Sequence, residues 1–351
     1  MAGYTPGEQP RPGEPVIKLN TNENPFPPSP RVADAIRRVT ADDLRRYPSS
    51  MADGFRVVAA RVHGVSPDNI LAGNGSDDIL QIALRSYCGP GDVLVCPDPT
   101  YSLYPVLAEL ADVRLIPVPW GRGWALPTEA LLRENARAIF FANPNSPSGT
   151  SVAVADIEAL AARTEALVLV DEAYADFADD NCLGLPARRP NVLVTRSFSK
   201  GYGLAGLRFG YAIGDPRVIA QMAKVKDSYN CDAIGIAAAC AALEDAEYAR
   251  ANWRAIRVER ERLSSELERR RLAVIPSQAN FLLVTTPDAA HAGWLYAALK
   301  ARGVLVRFFD KPALDNKLRI SIGTPEENDT LLAAFDDALA REPSRTAQST
   351  P

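Results

Sequence analysis

Histidine is scarce in this chain, since only His63 and His291 occur among 351 residues, each alone in a helix-like segment. This scarcity argues against histidine-based catalysis and against a zinc site, which usually draws on several imidazole or thiolate ligands. The five cysteines are odd in number and show no Cys-x-x-Cys spacing. We therefore predict no metal site and reduced cysteines, as is typical of a cytoplasmic protein.

The chain also lacks a block of basic residues and a long apolar run. Its formal net charge is −4, which makes nucleic acid or an anionic membrane surface an unexpected partner. The longest apolar run, Ala233–Leu243, is too short to cross a bilayer, and residues 1–8 do not resemble a signal peptide. With 47% hydrophobic residues, the chain can bury a large core and is expected to form two domains.

Apolar strands alternate with segments of helical periodicity, which predicts an α/β domain with a mostly parallel sheet. The predicted strands are Val93–Cys96, Val113–Val118, Ala138–Ala142, Leu167–Val170, Val192–Thr195 and Gly210–Ile213. The predicted helices between them are Asp77–Tyr87, Tyr101–Ala111, Val154–Ala162 and Pro216–Lys226.

A long charged helix, Glu244–Arg271, changes this order and is expected to connect two domains. After it we predict a smaller α+β domain. Its elements are strands at Ala273–Ile275, Ala279–Val284, Val304–Val306 and Leu318–Ile322, with helices at Ala289–Ala301 and from Glu326. The predicted division is an N-terminal arm, 1–28, a large domain, 29–243, a small domain, 244–340, and a disordered polar tail, 341–351.

The segment Ser197-Phe198-Ser199-Lys200 is the most informative in the chain. It follows an apolar strand, and most of the 39 basic residues of this chain are arginine, so a lysine in such a turn is conspicuous. A lysine amine can form a Schiff base with an aldehyde cofactor. The hydroxyls of Ser197 and Ser199, nearby backbone N–H groups and Arg208 suit a phosphate. The segment therefore predicts a site for pyridoxal phosphate.

Three other interpretations apply to the same segment. Ser197-x-x-Lys200 matches a motif of serine acyl enzymes, but no Lys-Thr-Gly follows it. The glycines Gly201, Gly203 and Gly206 match the dinucleotide fingerprint with Asp227 downstream, although the expected βαβ unit is absent because 218–226 has a helical pattern. The segment can also be a purely structural turn.

Two further polar groups follow predicted strands. Asp171 comes at the end of a buried strand, where open α/β sheets place their sites. A carboxylate there can keep a pyridinium nitrogen protonated, and Tyr174 can reach the ring's phenolic oxygen. Asn143 follows the strand at 139–141 in a proline-rich turn, and its amide can donate to the same oxygen. The alternatives are a helix-capping acid and a generic turn.

The segment Gly73-Asn74-Gly75-Ser76-Asp77 precedes a predicted helix, with Ser76 as its expected N-cap. The backbone N–H groups of that helix start form an anion site suited to a phosphate. Tyr101 can stack on a flat cofactor ring. The alternatives are an ordinary capped helix and plain aromatic packing.

Together these motifs resemble the fold-type I pyridoxal phosphate aminotransferases, the family of aspartate aminotransferase, over almost the whole chain. The resemblance rests on Gly75-Ser76-Asp77, Tyr101, Asn143, Asp171-x-x-Tyr174, Ser197-x-Ser199-Lys200, Arg208 and Arg319-Ile320-Ser321-Ile322-Gly323. It implies that Lys200 binds the cofactor covalently and moves a proton. It also implies that Asp171 pairs with the pyridine nitrogen, and that Asn143 and Tyr174 bind the phenolic oxygen. The residues implied around the phosphate and ring are Gly75, Ser76, Asp77, Ser197, Ser199, Arg208 and Tyr101.

Within that family, the chain is similar to the histidinol-phosphate aminotransferase branch. The similar segments are 4–10, 18–25, 46–48, 204–208, 279–281 and 303–307. The branch implies an obligate homodimer in which Tyr47 reaches the partner's cofactor phosphate. It implies that Tyr4, Asn22, Arg307 and Arg319 bind substrate, with Arg319 taking either the glutamate carboxylate or a substrate phosphate. A guanidinium fork accepts either anion bidentately.

The expected reaction is a ping-pong transamination between glutamate and imidazole acetol phosphate. An aromatic amino-acid aminotransferase shares nearly every motif, and a threonine-phosphate decarboxylase also binds a phosphorylated substrate. A cofactor-binding regulator is disfavoured because every expected catalytic position is filled. The departures from the family pattern are Ser146 and Ser148, where Asn and Thr are common, and Asp78, where Glu is frequent. We expect none of the three to touch the chemistry.

Overall fold

The computed structural model describes residue 3, residues 7–11 and residues 13–341. The described strands are β1 Ile17–Lys18, β2 Ile70–Gly73, β3 Val93–Asp98, β4 Arg114–Pro119, β5 Ala138–Ala142, β6 Leu167–Asp171, β7 Val192–Ser197, β8 Gly210–Ile213, β9 Ala273–Ile275, β10 Phe281–Thr285, β11 Val304–Leu305, β12 Arg307–Phe308 and β13 Lys317–Ser321.

The described α-helices are α1 Pro30–Arg37, α2 Ala41–Leu44, α3 Asp53–His63, α4 Ser76–Tyr87, α5 Leu103–Leu110, α6 Thr128–Arg133, α7 Val154–Ala161, α8 Pro216–Ala223, α9 Ala233–Glu244, α10 Ala246–Arg269, α11 Ala289–Lys300 and α12 Pro325–Ala340. Within the described ranges, no helix is both long enough and apolar enough to cross a lipid bilayer.

Seven strands form the large sheet, in the order β2-β8-β7-β6-β5-β3-β4. Strand β8 runs in the opposite direction to the other six strands, so the sheet is mostly parallel, as predicted. The middle strands β5, β6 and β7 are buried along their whole length. Alternate residues enter different cores, since Phe140 and Leu169 lie in one cluster while Ile139 and Val168 lie in another. Helices therefore cover both faces, which explains the continuous apolar runs.

The C-terminal part is built on a four-stranded antiparallel sheet in the order β12-β13-β10-β9. Its apolar residues form a core of their own, with Phe281, Leu318 and Phe335 fully buried. The N-terminal segment joins this part, because β1 pairs in parallel with β11. The architecture agrees with the predicted α/β and α+β order. The predicted domain boundaries stay a prediction.

The predicted strands Ala138–Ala142, Gly210–Ile213 and Ala273–Ile275 coincide with β5, β8 and β9. The other predicted strands differ from the observed ones by one or two residues at their ends. The predicted strand Val304–Val306 contains only β11, and the chain then enters the four-stranded sheet as β12. The edge strand β2 was not predicted. The proposed disorder from residue 342 onward lies outside the described residues.

Candidate active site

The carboxyl ends of three neighbouring parallel strands carry the predicted polar residues. Ala142 at the end of β5, Asp171 at the end of β6 and Thr195 in β7 are register partners across the sheet. The loops that follow contain Asn143 and Lys200. The sheet therefore brings residues distant in sequence to one edge, as open α/β folds do at their ligand sites.

Asp171 is a buried carboxylate, only 3% exposed. It accepts hydrogen bonds from the Thr195 hydroxyl at 3.1 Å, the Tyr104 hydroxyl at 3.2 Å and the Ala173 amide at 3.3 Å. Burial, with a smaller contribution from Asp77, raises the pKa of Asp171 to about 6, and the hydrogen bonds oppose that rise. A cationic N–H group beside this carboxylate would offset the free-energy cost of keeping it ionised in a buried position. Sequence reasoning missed Tyr104, because it lies inside α5 with no local motif.

Lys200 lies in the turn that follows β7. Its Nζ atom donates to the Thr21 carbonyl at 3.0 Å, and its backbone carbonyl accepts from the Asn24 side chain at 2.9 Å. Burial, together with the positive charge of Arg319, lowers the pKa of Lys200 to about 8. A fraction of the amine is therefore neutral near pH 7, which is the form that attacks an aldehyde. The N-terminal segment thus forms part of the lysine's surroundings.

The predicted phosphate cradle, formed by Ser197, Ser199, Arg208 and the start of α4, lies beside this turn. Arg208 adopts a left-handed conformation, with φ 50°, and its Nη1 atom donates to the Ser199 hydroxyl at 3.2 Å. Gly75 has φ +88°, and a Cβ atom there would lie 2.8 Å from Arg208 Nη2. The glycine therefore lets the guanidinium approach the first backbone N–H groups of the helix.

One detail of the cradle differs from the expectation. Gly75, not Ser76, occupies the N-cap of α4, and no side chain caps the helix. The first-turn N–H groups are therefore not used by a capping serine, which leaves this helix start suited to an anion. Ser197 is buried, and its hydroxyl accepts from the Ser199 amide at 3.2 Å.

Tyr101 and Asp77 lie together at the edge of the cradle. The Tyr101 hydroxyl donates to Asp77 Oδ1 at 3.1 Å, and Asp77 Oδ2 lies 3.4 Å from Arg208 Nη2. The Tyr101 ring is perpendicular to the Tyr104 ring, with centroids 5.7 Å apart. Tyr101 therefore lies between the cradle and the tyrosine that bonds Asp171. Its stacking on a cofactor ring stays a prediction.

Tyr174 is placed by residues of the N-terminal segment and of the loop after β5. Its hydroxyl accepts from the Asn22 side-chain amide at 3.0 Å, and Ser146 is among the polar groups that influence its pKa. Burial raises the pKa of Tyr174, while Arg319 and these polar groups oppose the rise. Ser321 in turn holds Asn22, because its hydroxyl accepts a hydrogen bond from the backbone N–H of Asn22 at 2.8 Å.

The side chain of Asn143 is hydrogen-bonded within its own loop. Its side-chain amide donates to the Val152 carbonyl at 3.2 Å, and its side-chain oxygen accepts from the Val152 amide at 2.7 Å. These bonds stabilise the loop, and the contact of Asn143 with a phenolic oxygen stays a prediction. Ser146 of the same loop is 4% exposed, and its hydroxyl accepts from Arg319. The serine at 146 therefore contacts a predicted substrate-binding residue, and the expectation that it does not touch the chemistry stays a prediction.

Two arginines from the four-stranded sheet complete the site. Arg319 donates from Nη1 to the Ser146 hydroxyl at 3.1 Å and from Nη2 to the Asn20 carbonyl at 3.2 Å. Arg307 is its direct cross-strand partner between β12 and β13. Side chains of directly opposite residues share one face of a sheet. Two guanidiniums are therefore positioned together, which is suited to an anion of more than one charge.

Tyr47 is exposed on the protein surface. It is 81% exposed, and its ring stacks on Tyr229 with centroids 4.4 Å apart. Its contact with the cofactor phosphate of a partner chain stays a prediction. Tyr4 lies outside the described residues, so its predicted contact with substrate stays a prediction.

The sequence model named "Aminotransferase class I and II" matches residues 14–335. The chain belongs to this family. Members are enzymes that move amino groups with pyridoxal phosphate, so the chain is an aminotransferase and pyridoxal phosphate is its cofactor. The element that follows the glycines Gly201, Gly203 and Gly206 is β8, antiparallel to β7. This is not the βαβ unit of a dinucleotide site.

Curated relatives of this aminotransferase share most of its length. Histidinol-phosphate aminotransferase 1 of Nostoc sp. is 42% identical over 97% of this chain and 96% of the relative. Histidinol-phosphate aminotransferase of Rhodopirellula baltica is 43% identical over 97% of this chain and 94% of the relative.

Solved structures show the same fold. The histidinol-phosphate aminotransferase of Sinorhizobium meliloti, in complex with pyridoxal-5'-phosphate, superimposes with a TM-score of 0.86 at 31% identity, covering 92% of this chain and 90% of that one. Aspartate aminotransferase of Thermus thermophilus with maleate gives a TM-score of 0.78 at 23% identity, covering 93% of this chain and 92% of that one. The fold is thus fold-type I.

The residues of the site fit pyridoxal phosphate in three respects. A buried carboxylate of raised pKa, Asp171, suits a ring nitrogen that carries a proton. A lysine of lowered pKa, Lys200, suits an aldehyde. The start of α4 with Arg208 suits a phosphate, because Gly75 leaves room for the guanidinium there.

Proposed function

We propose that this aminotransferase transfers the amino group of glutamate to imidazole acetol phosphate, giving 2-oxoglutarate and histidinol phosphate, and that it also catalyses the reverse reaction. The observation that carries the proposal is the pair of arginines, Arg307 and Arg319, that are directly opposite on two strands. A glutamate side-chain carboxylate and a phosphate ester are the two anions that the same arginine pair can accept in turn. The curated relatives named above support this choice of substrate.

In this proposal, Arg319 is the anchor for both substrates and Arg307 adds a second charge for the phosphate. The Arg319 guanidinium donates one hydrogen bond to Ser146, in a loop of the large sheet, and another to the Asn20 carbonyl, in the N-terminal segment. A guanidinium already ordered by hydrogen bonds loses less side-chain entropy when an anion binds.

When bound, pyridoxal phosphate supplies an electron sink for the charge that develops on the substrate's α-carbon. Asp171 would hold the proton on the cofactor's ring nitrogen. Lys200 would hold the cofactor's aldehyde carbon and would take the substrate's α-proton at its Nζ atom. Tyr174 would bind the phenolic oxygen, with Asn22 orienting its hydroxyl. Ser197, Ser199, Arg208 and the start of α4 would hold the phosphate.

We propose further that the enzyme is a homodimer with a shared site, in which Tyr47 contacts the partner's cofactor phosphate. Three large apolar side chains are exposed near one another in sequence, Leu44 at 60%, Tyr47 at 81% and Val57 at 60%. Such surfaces are typical of protein interfaces. We place the enzyme in the cytoplasm, and the five free thiols support this location.

The function is tested by the absorbance spectrum of the cofactor-loaded enzyme and by its acceptors. Glutamate should bleach the visible band of the bound cofactor, and imidazole acetol phosphate should restore it far faster than phenylpyruvate does. A higher kcat/KM with phenylpyruvate would show an aromatic aminotransferase instead. Release of carbon dioxide from threonine phosphate, with no response to glutamate, would show a decarboxylase.

The shared site is tested by mixing two inactive variants, Lys200→Ala and Tyr47→Ala. A mixed dimer contains one site with an intact lysine and an intact partner tyrosine, so activity should appear on mixing and exchange of subunits. Each variant incubated alone is the control. If Tyr47 acts within its own chain, the mixture stays inactive.

A further inference from the structure

Phe309 lies between the two arginines of the proposed anion site. Its ring centroid is 5.7 Å from the guanidinium carbon of Arg307 and 5.6 Å from that of Arg319. These distances are within the range in which a cation is attracted to an aromatic face. Nothing in the chemistry of transamination requires an aromatic ring at this position, so its contact with both cations calls for an explanation.

The strand pattern explains how the ring reaches that position. Phe309 follows directly after β12, and the contacts of its ring with both guanidiniums place it on the same side of the sheet as Arg307. Arg319 is directly opposite Arg307 and lies on that side too. Phe308 points the other way and stacks on Tyr296 of α11, with centroids 5.9 Å apart.

Arg319 has ordering contacts besides Phe309. Arg319 also lies over the Phe281 ring, 5.2 Å from its centroid, and donates to Ser146 and to the Asn20 carbonyl. It therefore keeps an ordered position without Phe309. The aromatic contact of Arg307 is with Phe309. Like charges directly opposite on neighbouring strands repel each other, and a ring that attracts both cations lowers that cost.

We propose that Phe309 is a specificity-determining residue, which positions the Arg307 guanidinium beside Arg319 so that a phosphate dianion can bridge the two. The proposal rests on the proposed function for its substrate and extends it to a residue outside the expected set. A monoanionic carboxylate needs only Arg319, whereas a dianion gains from both charges. The contribution of Phe309 is therefore selective for the phosphorylated substrate.

The kinetic test compares Phe309→Leu, which keeps the apolar volume but removes the π face, with Phe309→Tyr, which keeps the ring. Phe308→Leu is the matched control, since it makes the same change at a ring that faces Tyr296. We expect Phe309→Leu to raise KM for histidinol phosphate by about 5- to 30-fold, the range of a cation–π contact. The kcat value and KM for glutamate should change little, and Phe309→Tyr should behave as the wild type.

A second measurement does not depend on activity. The thermal unfolding midpoint of the cofactor-loaded enzyme is followed against the concentration of inorganic phosphate, with the cofactor's own phosphate site already filled. Phe309→Leu should need about 5- to 30-fold more phosphate for the same rise in midpoint. Phe308→Leu and Phe309→Tyr should need the wild-type concentration.

The proposal is overturned if Phe309→Leu binds phosphate as the wild type does. It is also overturned if Phe309→Leu raises KM for glutamate and histidinol phosphate equally, because the ring then serves general packing. If the wild-type enzyme fails to turn over histidinol phosphate, the proposed function fails, and the phosphate titration alone decides the role of Phe309.

Discussion

Arg319 donates a hydrogen bond from Nη1 to the hydroxyl of Ser146 at 3.1 Å, which joins the four-stranded sheet to the loop after β5. The same serine is among the groups that oppose the rise of the Tyr174 pKa, so one buried side chain interacts with both the proposed substrate anchor and the proposed cofactor contact.

We therefore expect Ser146→Ala to weaken substrate binding. A hydrogen bond to a charged group contributes about 1.5–3 kcal/mol, so KM for glutamate should rise by about 10-fold or more. The measurement is steady-state kinetics with glutamate. Ser148→Ala is the control, because Ser148 is buried in the same loop but bonds to Asn145 and Thr150. Equal effects from both substitutions would assign the result to loop stability instead.

The fold was largely predictable because its central strands are buried on both faces. A strand such as β5, Ala138–Ala142, reads as a continuous apolar run, and its bounds follow from the polar turn after it. The edge strand β2 is short, Ile70–Gly73, and its pairing with β8 depends on residues about 140 positions away. The change of sheet between β11 and β12 is likewise a tertiary property that no local pattern contains.

The site was predictable where its residues stand in motifs next to a strand or a helix start. Asp171 and Lys200 follow buried strands, and Arg208 ends a glycine-rich turn. Tyr104 was missed because its hydroxyl reaches Asp171 from the first turn of α5, where no local motif marks it. Ser146 could have been identified from the sequence as a candidate, because it replaces the common residue of the family in a loop predicted to face the site. Its role became apparent only through Arg319, a partner 173 residues away.

The amine of Lys200 should control how fast the cofactor-free protein captures pyridoxal phosphate. The pKa of Lys200 is lowered to about 8 from 10.5, by burial first and then by Arg319. Because only the neutral amine attacks, the capture rate should rise as pH increases through about 8 and level off above it. Stopped-flow absorbance measures this rate, with an N-acetylated lysine amide in parallel to correct for ionisation of the cofactor.

Substitution of Arg319 should move that pH profile in a known direction. Arg319→Gln removes a positive charge that lowers the pKa of Lys200, so the midpoint should shift upward, toward 10.5. Arg307→Gln is the control, because it removes the same charge from an arginine that is not among the main causes of the shift at Lys200. A midpoint that is the same in both variants would contradict the electrostatic coupling between Arg319 and Lys200.

Asp171 should make the cofactor-free protein less stable as pH rises. Its pKa is raised to about 6 from 3.8, so the folded state binds more protons than the unfolded state between these values. The free energy of unfolding therefore falls as pH increases through this window. Between about pH 5 and about pH 8, the stability of Asp171→Asn relative to the wild type should increase by about 1–2 kcal/mol.

Urea unfolding at the two pH values measures this difference. Asp336→Asn is the control, because a hydrogen bond from Arg270 lowers the pKa of Asp336. That carboxylate is ionised in both the folded and the unfolded state at the two pH values, so the stability of Asp336→Asn relative to the wild type should not change between them. A relative stability of Asp171→Asn that does not change with pH would mean that Asp171 ionises normally.

Gly75 should be required for cofactor affinity and not only for backbone geometry. Both Gly75, φ +88°, and Gly91, φ +82°, adopt a conformation that L-residues disfavour. At Gly91 a Cβ atom would meet nothing within 4 Å, whereas at Gly75 it would lie 2.8 Å from Arg208 Nη2. Each alanine substitution should therefore lower stability by about 1–2 kcal/mol through the left-handed backbone alone.

Only Gly75→Ala should also displace the Arg208 guanidinium from the start of α4. Loss of one charge-assisted contact to the phosphate predicts a weakening of pyridoxal phosphate binding by about 10-fold or more, measured by titration of the cofactor-free protein. Gly91→Ala should bind the cofactor as the wild type does. If the two variants bind it equally well, the guanidinium does not hold the phosphate, and the cradle consists of the helix start and the hydroxyls alone.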